Sequence, residues 1–441
     1  MPAQRVAASA AENQQALYGF SRKEILLFAV LFIIFLAPAL LNGFPLVMGD
    51  SIAYSGEGAH WMRGKTAAVL MALPFKLLGY WALPVFNSLL NAFAWLLVFR
   101  LLHAEPKLPA YLALIICSLQ PLYTSAVIVD SWFFPALVLL CYAARSRWVL
   151  MGILAGVLLS AHGSGVILAI VFSGLSLLVC RKAKPAYAAL LAIVVAVGFN
   201  SVLDATVSPD RPRLSKTFPA SRAFSVQPEL LEREAERSGD ASLLKAAELT
   251  RQLKTTPGEE QRRDFFWDLW SSDKVHLDLV KFETEHAMPI VLDALFYDPV
   301  PLGFTILRDF GSFYSPQTEF DFRQNMVEEF GLHYEASMQA AGVFEDDIVS
   351  HIATAMRYVC YVCFLAALIF GWNRTSVAGR RLVLAIGLMI VCNDALFAIL
   401  SGPPDRYHHR ILPLLVVAIL ILMQGHLTRH VSGDHAIQIK T

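Results

Sequence analysis

Apolar runs of near-membrane length, separated by short basic or acidic turns, occupy most of the chain. The N-terminus is polar to Lys23 and then apolar from about Glu24 to Leu41. Including this run, the pattern predicts helices over about 24–42, 81–102, 109–127, 131–144, 148–162, 164–180, 186–203, 354–371, 381–401 and 410–424. Several of these approach the roughly 20 residues that a helix needs to cross a bilayer. Lipid offers no partners to backbone polar groups, so spanning segments here are helices and not open strands. The first run is longer than the roughly 7–15 apolar residues of a signal peptide, so it reads as a retained helix. The stretch 67–79 is short and interrupted by Gly79. It is either a half-helix in the outer interface or the start of a long kinked span.

Fold class follows from that pattern: an all-α polytopic membrane protein, with about ten transmembrane helices and a large external, mostly helical loop. Three parts are expected. Residues 1–203 form a transmembrane core with a first external loop at 43–66. Residues 204–353 form an external loop domain, and 354–441 the last helices and a cytoplasmic tail.

Composition sharpens the picture. Hydrophobic residues make up 56% of the chain and charged ones 16%, and the mean hydropathy is +0.52. The net charge of zero hides an asymmetry, because 204–353 holds 27 acidic against 15 basic side chains. Elsewhere every second loop is basic: Arg22 and Lys23, Arg100 and Lys107, Arg145 and Arg147, Arg181 with Lys182 and Lys184, and Arg374 with Arg380 and Arg381. The positive-inside rule puts those loops and both termini in the cytoplasm, and 43–66, Asp130, His162–Ser164, 204–353 and 402–409 outside. The six cysteines all fall in or at the ends of apolar runs, which predicts packing and no disulfide framework.

Within the long loop, 228–254 predicts polar helices with a turn at Ser238-Gly239-Asp240, and 299–313 is amphipathic. These helices either lie on the membrane surface or form a small folded cap with its own core. No internal repeat is visible, which weighs against a transporter built from inverted halves.

The candidate chemistry gathers on the external side. The stretch "NGFPLVMGDSIAYSGEGAHWMRGK" (42–65) carries Asp50, Tyr54, Glu57, His60, Arg63 and Lys65. Asp130 lies in a very short turn, where an ionisable group is costly unless paired or functional. His162 follows the fifth run. The group "GPPDRYHHR" (402–410) sets Arg406, Tyr407, His408, His409 and Arg410 at a helix start, behind two stiffening prolines. Arginine suits a phosphate because its planar fork grips two oxygens. Adjacent histidines on a helix diverge by about 100°.

This order resembles the GT-C superfamily of integral-membrane glycosyltransferases, which take sugars from polyprenyl-phosphate donors. An acid stands in the first external loop, a second acid in a following short one, then come a large external loop and a late Arg-Tyr turn. The "DRYHHRILPLL" stretch is similar to the late Arg-Tyr and Pro-containing helix start of aminoarabinose- and mannosyl-transferring members. Many members have two adjacent acids in loop one, whereas here Asp50 is followed by Ser51. The resemblance implies inverting sugar transfer at the periplasmic face of a bacterial inner membrane. Its donor would be a polyprenyl-phosphate sugar, and its acceptor a lipid, glycan or protein; no nucleic acid is expected.

Asp50 would then be the base and Asp130 the second catalytic acid. Tyr54, His60, Arg63, Lys65, His162, Arg406, Tyr407 and Arg410 would bind substrate. A divalent metal would be able to replace part of the cationic clamp. Two other readings stay open. A carrier or flippase would place acids mid-span, and Asp394, beside Asn393, fits that. A non-enzymatic assembly protein would show no convergent acid and base.

Overall fold

The computed structural model describes residues 20–431, except 49–50, 52–53, 55–64, 103–107, 145–146, 208–214, 252–261, 263–264, 267, 270–274, 276, 298, 316–321, 323–326, 345–346 and 401–404. Among the described residues the fold is helical, and the only extended pairing is an isolated parallel bridge between Leu46 and Ala126.

Helix α1 is Arg22–Asn42. Ser21 and Glu24 cap its start reciprocally, and Gly43 closes its end at φ 80°. These are the signals that stop and start a helix where apolar periodicity alone cannot. Glu24 also pairs with Arg100 at 2.6 Å, which fixes α1 against α3.

Helices α2 (Lys65–Leu78) and α3 (Ala82–Leu102) run on through a tight turn at Gly79–Trp81. Gly79 sits at φ +55°, where a side chain would be strained. Together they make one segment of 38 residues, long enough to cross.

Next come α4 (Leu108–Cys117), α5 (Gln120–Thr124), α6 (Phe133–Tyr142), α7 (Trp148–Leu159), α8 (Gly165–Leu178) and α9 (Ala183–Val207). The run expected over 109–127 is broken between α4 and α5, where Leu119 takes a left-handed conformation. Helix α7 lies on α9 by way of Gly152 and Gly156. A Cβ at either would come within 2.8 Å of the backbone oxygen of Ala188 or Ala192. Small residues of this kind let membrane helices approach closely.

The long loop folds into α10 (Thr217–Val226), α11 (Glu229–Ser238), α12 (Ala241–Arg251), α13 (Ala287–Phe296) and α14 (Pro299–Ser312). The expected turn is there, with Gly239 at φ 65°. This unit has its own apolar core, including Phe224, Leu231, Phe266, Phe282 and Ile290. Its polar groups are also tied down. The buried Glu283 carboxylate accepts from the Thr217 amide at 2.7 Å and from Thr217 Oγ1 at 2.8 Å, and so caps α10 from a distance. Arg222 and Asp309 form a buried ion pair.

The chain closes with α15 (Asp347–Gly371), α16 (Val377–Leu400), the short α17 (Asp405–His409) and α18 (Pro413–Val431). Among the described residues, six helical segments are long and apolar enough to cross a membrane: 22–42, 65–102, 183–207, 348–374, 377–400 and 407–424. The runs expected over 131–144, 148–162 and 164–180 appear as shorter apolar helices. The coarse picture of an all-α, multi-pass membrane protein is thus what the structure has.

Candidate functional site

A polar centre forms where one end of the helical bundle gathers four separate stretches of chain. The first is the exit from α1. Leu46 pairs with the 125–127 backbone, with Leu46 N donating to Ser125 O at 3.1 Å and Val127 N to Leu46 O at 2.9 Å. A side chain from the 204–353 segment holds the same stretch. Gln339 accepts from Val47 N at 3.0 Å and donates to Val47 O at 2.6 Å and Phe322 O at 3.1 Å. Its own backbone N–H donates to Asn42 Oδ1 at 2.7 Å.

The second stretch is 126–132, which carries Asp130. It has little secondary structure of its own, so α3 supplies partners. Asn87 Nδ2 donates to Ala126 O and Ile128 O, while Asn87 Oδ1 accepts from Trp132 Nε1 at 2.7 Å. Asn91 donates to Ser131 O at 3.1 Å and accepts from Gln120, which in turn accepts from Trp95 Nε1 at 2.7 Å. All three amides are buried. Satisfying buried backbone groups this way fixes the loop, because any left unmet would carry a full desolvation cost.

Asp130 opens a tight turn before α6 and is 2% exposed. Its carboxylate faces Arg410, with Oδ1 at 3.6 Å from Nη1. Arg410 is also buried and fully engaged. It donates to Asn393 Oδ1 from Nε at 3.1 Å and Nη2 at 2.7 Å, and to Ser164 Oγ at 3.1 Å. Its guanidinium lies 3.9 Å from the Phe133 ring centre and 4.2 Å from that of Phe397, a cation–π sandwich. Ser164, in turn, bonds His162 Nδ1 at 2.9 Å. Tyr407 stacks on Phe397 with ring centres 3.8 Å apart.

A second polar group lies next to the first, bridged by Asn393. Asn393 Nδ2 donates to Asp394 Oδ1 at 3.0 Å. Asp394 Oδ2 accepts from Tyr314 Oη at 2.7 Å and meets His408 Nδ1 at 2.9 Å. His408 Nε2 meets Tyr361 Oη at 2.6 Å. The Tyr314 phenol is pushed above its ordinary pKa, first by burial and then by the Asp394 carboxylate. His409 points elsewhere and stacks on Tyr123 at 4.9 Å, as the divergence of neighbours on a helix requires.

The structure therefore brings Asp130, His162, Tyr407 and Arg410 into one neighbourhood. Lys65 goes elsewhere: it is fully buried and pairs with Asp204 at the end of α9 at 3.0 Å. Tyr54 is buried in the main apolar core. Asp50, Glu57, His60 and Arg63 lie outside the described residues, as do the side chains of Asp405 and Arg406. Among the described residues no group of three or more His, Cys, Asp or Glu side chains is placed to hold a metal ion.

Sequence reading passed over Asn42, Asn87, Asn91, Gln120 and Gln339. The first four announce themselves only as amides inside or at the end of apolar helices, where a polar group needs a partner. Comparison with family profiles, characterised proteins and solved structures returned no match.

Proposed function

We propose that this chain is a membrane glycosyltransferase acting at the external face of a bacterial inner membrane. It would move a sugar from a polyprenyl-phosphate donor to an envelope lipid, glycan or protein. One observation carries the reading: a buried acid–arginine pair, Asp130–Arg410, where the exit of α1, the Asp130 turn, the His162 turn and the start of the last helix meet. Asp50 stands between Met48 and Ser51 in the sequence, and in this reading it is the acid that acts with that pair. The reading keeps the ten crossings with both ends inside.

In this reading the acceptor oxygen attacks the anomeric carbon while the bond from that carbon to the phosphate oxygen breaks. Asp50 takes the acceptor proton, and the polyprenyl phosphate leaves with the bonding pair. Arg406, with Arg63, meets the charge that builds on the phosphate. Arg410 is already committed to Asp130, Asn393 and Ser164, so its part is to position Asp130.

A carrier reading draws on a different observation, the fully buried Asp394 and His408 in two candidate spans. Labelled-sugar transfer from a polyprenyl-phosphate donor in proteoliposomes separates the two. Sugar transfer requires a labelled covalent product that Asp50→Asn abolishes while donor binding persists. Label crossing the bilayer with no covalent product would favour the carrier.

A further inference from the structure

Four helices of the 204–353 segment present their outer faces in two different ways. Exposed positions on α11 include Arg233, Glu236 and Arg237. Those on α12 include Lys245, Glu248 and Arg251, with Leu244 among them. Such faces suit water. Helices α13 and α14 reverse the pattern. The exposed stripe of α13 is Met288, Leu292, Leu295 and Phe296, and that of α14 runs through Val300, Phe304 and Leu307. Spacings of three and four residues put each set on one side of its helix. Arg308, bound to Asp309, lies further along α14, toward Tyr314.

These stripes are additional to the core. The other side of α13 already supplies Ala287, Ile290 and Ala294 to the packed interior, and α14 supplies Leu302. A helix that is apolar on both sides needs cover on both. The demand peaks where the two helices meet, since Phe296 is 77% exposed and Phe304 71%.

The position of this face in the chain says what covers it. Helix α9 before it and the segment 348–374 after it are both long and apolar enough to cross a membrane. Helices α10 and α14 pack directly on α16, another such segment. The unit is thus tied at both ends and along one side to helices fit for lipid. The stretches 279–296 and 299–312 together have the apolar content of a crossing, but they are bent by 92°. Helices of 10 and 14 residues are also shorter than the roughly 20 residues a straight crossing needs. A bent apolar pair with Phe296, Tyr297 and Phe304 at its elbow suits the interface instead, where aromatic residues collect and apolar faces sink about 5–10 Å. That depth also tolerates Asp298, which joins the two helices in sequence and would be costly at the bilayer centre.

We infer that the outer faces of α13 and α14 form a pad seated in the membrane interface, with Leu292, Phe296, Phe304 and Leu307 among the lipid acyl chains of the near leaflet. The 204–353 segment is then a cap resting on lipid, with α11 and α12 turned to water. The pad stands independently of the sugar-transfer reading.

The test is photocrosslinking of the full-length protein in phosphatidylcholine nanodiscs. The photoreactive residue p-benzoylphenylalanine replaces, one at a time, Phe296, Phe304, Arg233, Lys245 or Leu384. All five positions are exposed, so the bulkier ring displaces no core. Leu384, on the candidate span α16, reports lipid contact, and Arg233 and Lys245 report the charged faces. Irradiation and peptide mass spectrometry should give phospholipid adducts at 296, 304 and 384, and none above the dark control at 233 or 245. Adducts at 384 with none at 296 or 304 would overturn the pad. So would a cross-link between two copies at 296 or 304 without lipid adducts, which would assign the face to a second chain. Equal adducts at 233, 245 and 304 would show that the two kinds of face do not differ, and would overturn it as well.

Discussion

The Arg410 guanidinium stands 3.6 Å from the Asp130 carboxylate, with both side chains buried and Phe133 and Phe397 close on the arginine. Removing one partner of a buried ion pair leaves the other charge without compensation, at a cost of about 3–5 kcal/mol. Arg410→Ala should therefore lower stability by about that much, seen as a reduced thermal midpoint in detergent. Arg410→Lys should recover only part, because a point charge cannot serve Asn393 and Ser164 together as the fork does. A change within about 0.5 kcal/mol in Arg410→Ala, the range of ordinary surface substitutions, would show that the pair is not buried as described.

Gln339 ties the 204–353 segment to the stretch that leaves α1. Four hydrogen bonds converge on this residue, to Val47, Phe322 and Asn42. Three of them use its side chain, so Gln339→Ala strands buried backbone groups at about 1–3 kcal/mol each if no water replaces them. The chain then has reason to open locally. Ser51 is fully buried beside Met48, so a cysteine placed there reports the opening. Maleimide should label Ser51→Cys slowly alone and much faster with Gln339→Ala added. Equal rates would mean that Gln339 does not hold the loop.

Much of this fold was legible in the chain. Apolar periodicity and the Gly239 turn lie where local signals put them, since each depends on neighbours within a few residues. Asp130, His162 and Arg410 were also readable as a group, because all three punctuate apolar runs at one predicted side. The Gln339 latch was not readable. It depends on tertiary placement across most of the chain, and a glutamine in a polar loop carries no local mark. The break between α4 and α5 was equally hidden, because an uninterrupted apolar run does not reveal that Leu119 turns left-handed. Lys65 looked like a clamp in a loop rich in charge, yet α2 starts at that residue and directs it to Asp204.

Close approach of α7 and α9 rests on two glycines one helical turn apart. At Gly156 an added Cβ would come within 2.7 Å of both Ala192 O and Val195 Cβ. Backbone cannot yield as a side-chain tip does, so Gly156→Leu should push the helices apart and cost well over the about 1–3 kcal/mol typical of overpacking. Gly174, on α8, has open space at the same point, so Gly174→Leu serves as the control. Expression and thermal midpoint should fall sharply for the first variant and little for the second. Similar behaviour of the two would remove the packing argument.

Asp240 gives a pH dependence with a definite sign. Lys281 beside it, and the Leu243 and Ser242 amides it caps, hold its carboxyl below the usual pKa. The folded value is the lower one, so the stabilisation is present above the unfolded value, about 3.9, and is lost as pH falls through the folded one. Asp240→Asn retains capping but loses the charge. Its thermal midpoint should lie below the wild type near neutrality and converge with it in acid. Asp240→Ala removes the cap as well, so a deficit of about 0.5–2 kcal/mol should remain in acid. A wild-type advantage over Asp240→Asn that grew on acidification would contradict the assigned shift.

Orientation can be predicted without deciding how the short helices sit. Helix α9 has 25 residues and passes the length and hydropathy of a crossing, as does the segment 348–374. Arg181, Lys182 and Lys184 precede or open the first, and Arg374, Arg380 and Arg381 follow the second. The chain between them, with its excess of acids, should therefore lie on the opposite side from both basic clusters. Basic residues near helix ends stay in the cytoplasm, while acidic ones contribute little to orientation. An alkaline phosphatase fused after Pro257 should be active in a bacterial host, and a fluorescent protein fused there dark. One fused after Lys182 should be bright. A cytoplasmic signal after Pro257 would reverse the sidedness of Asp130, His162 and Arg410 together, and would leave an external sugar donor unable to reach them.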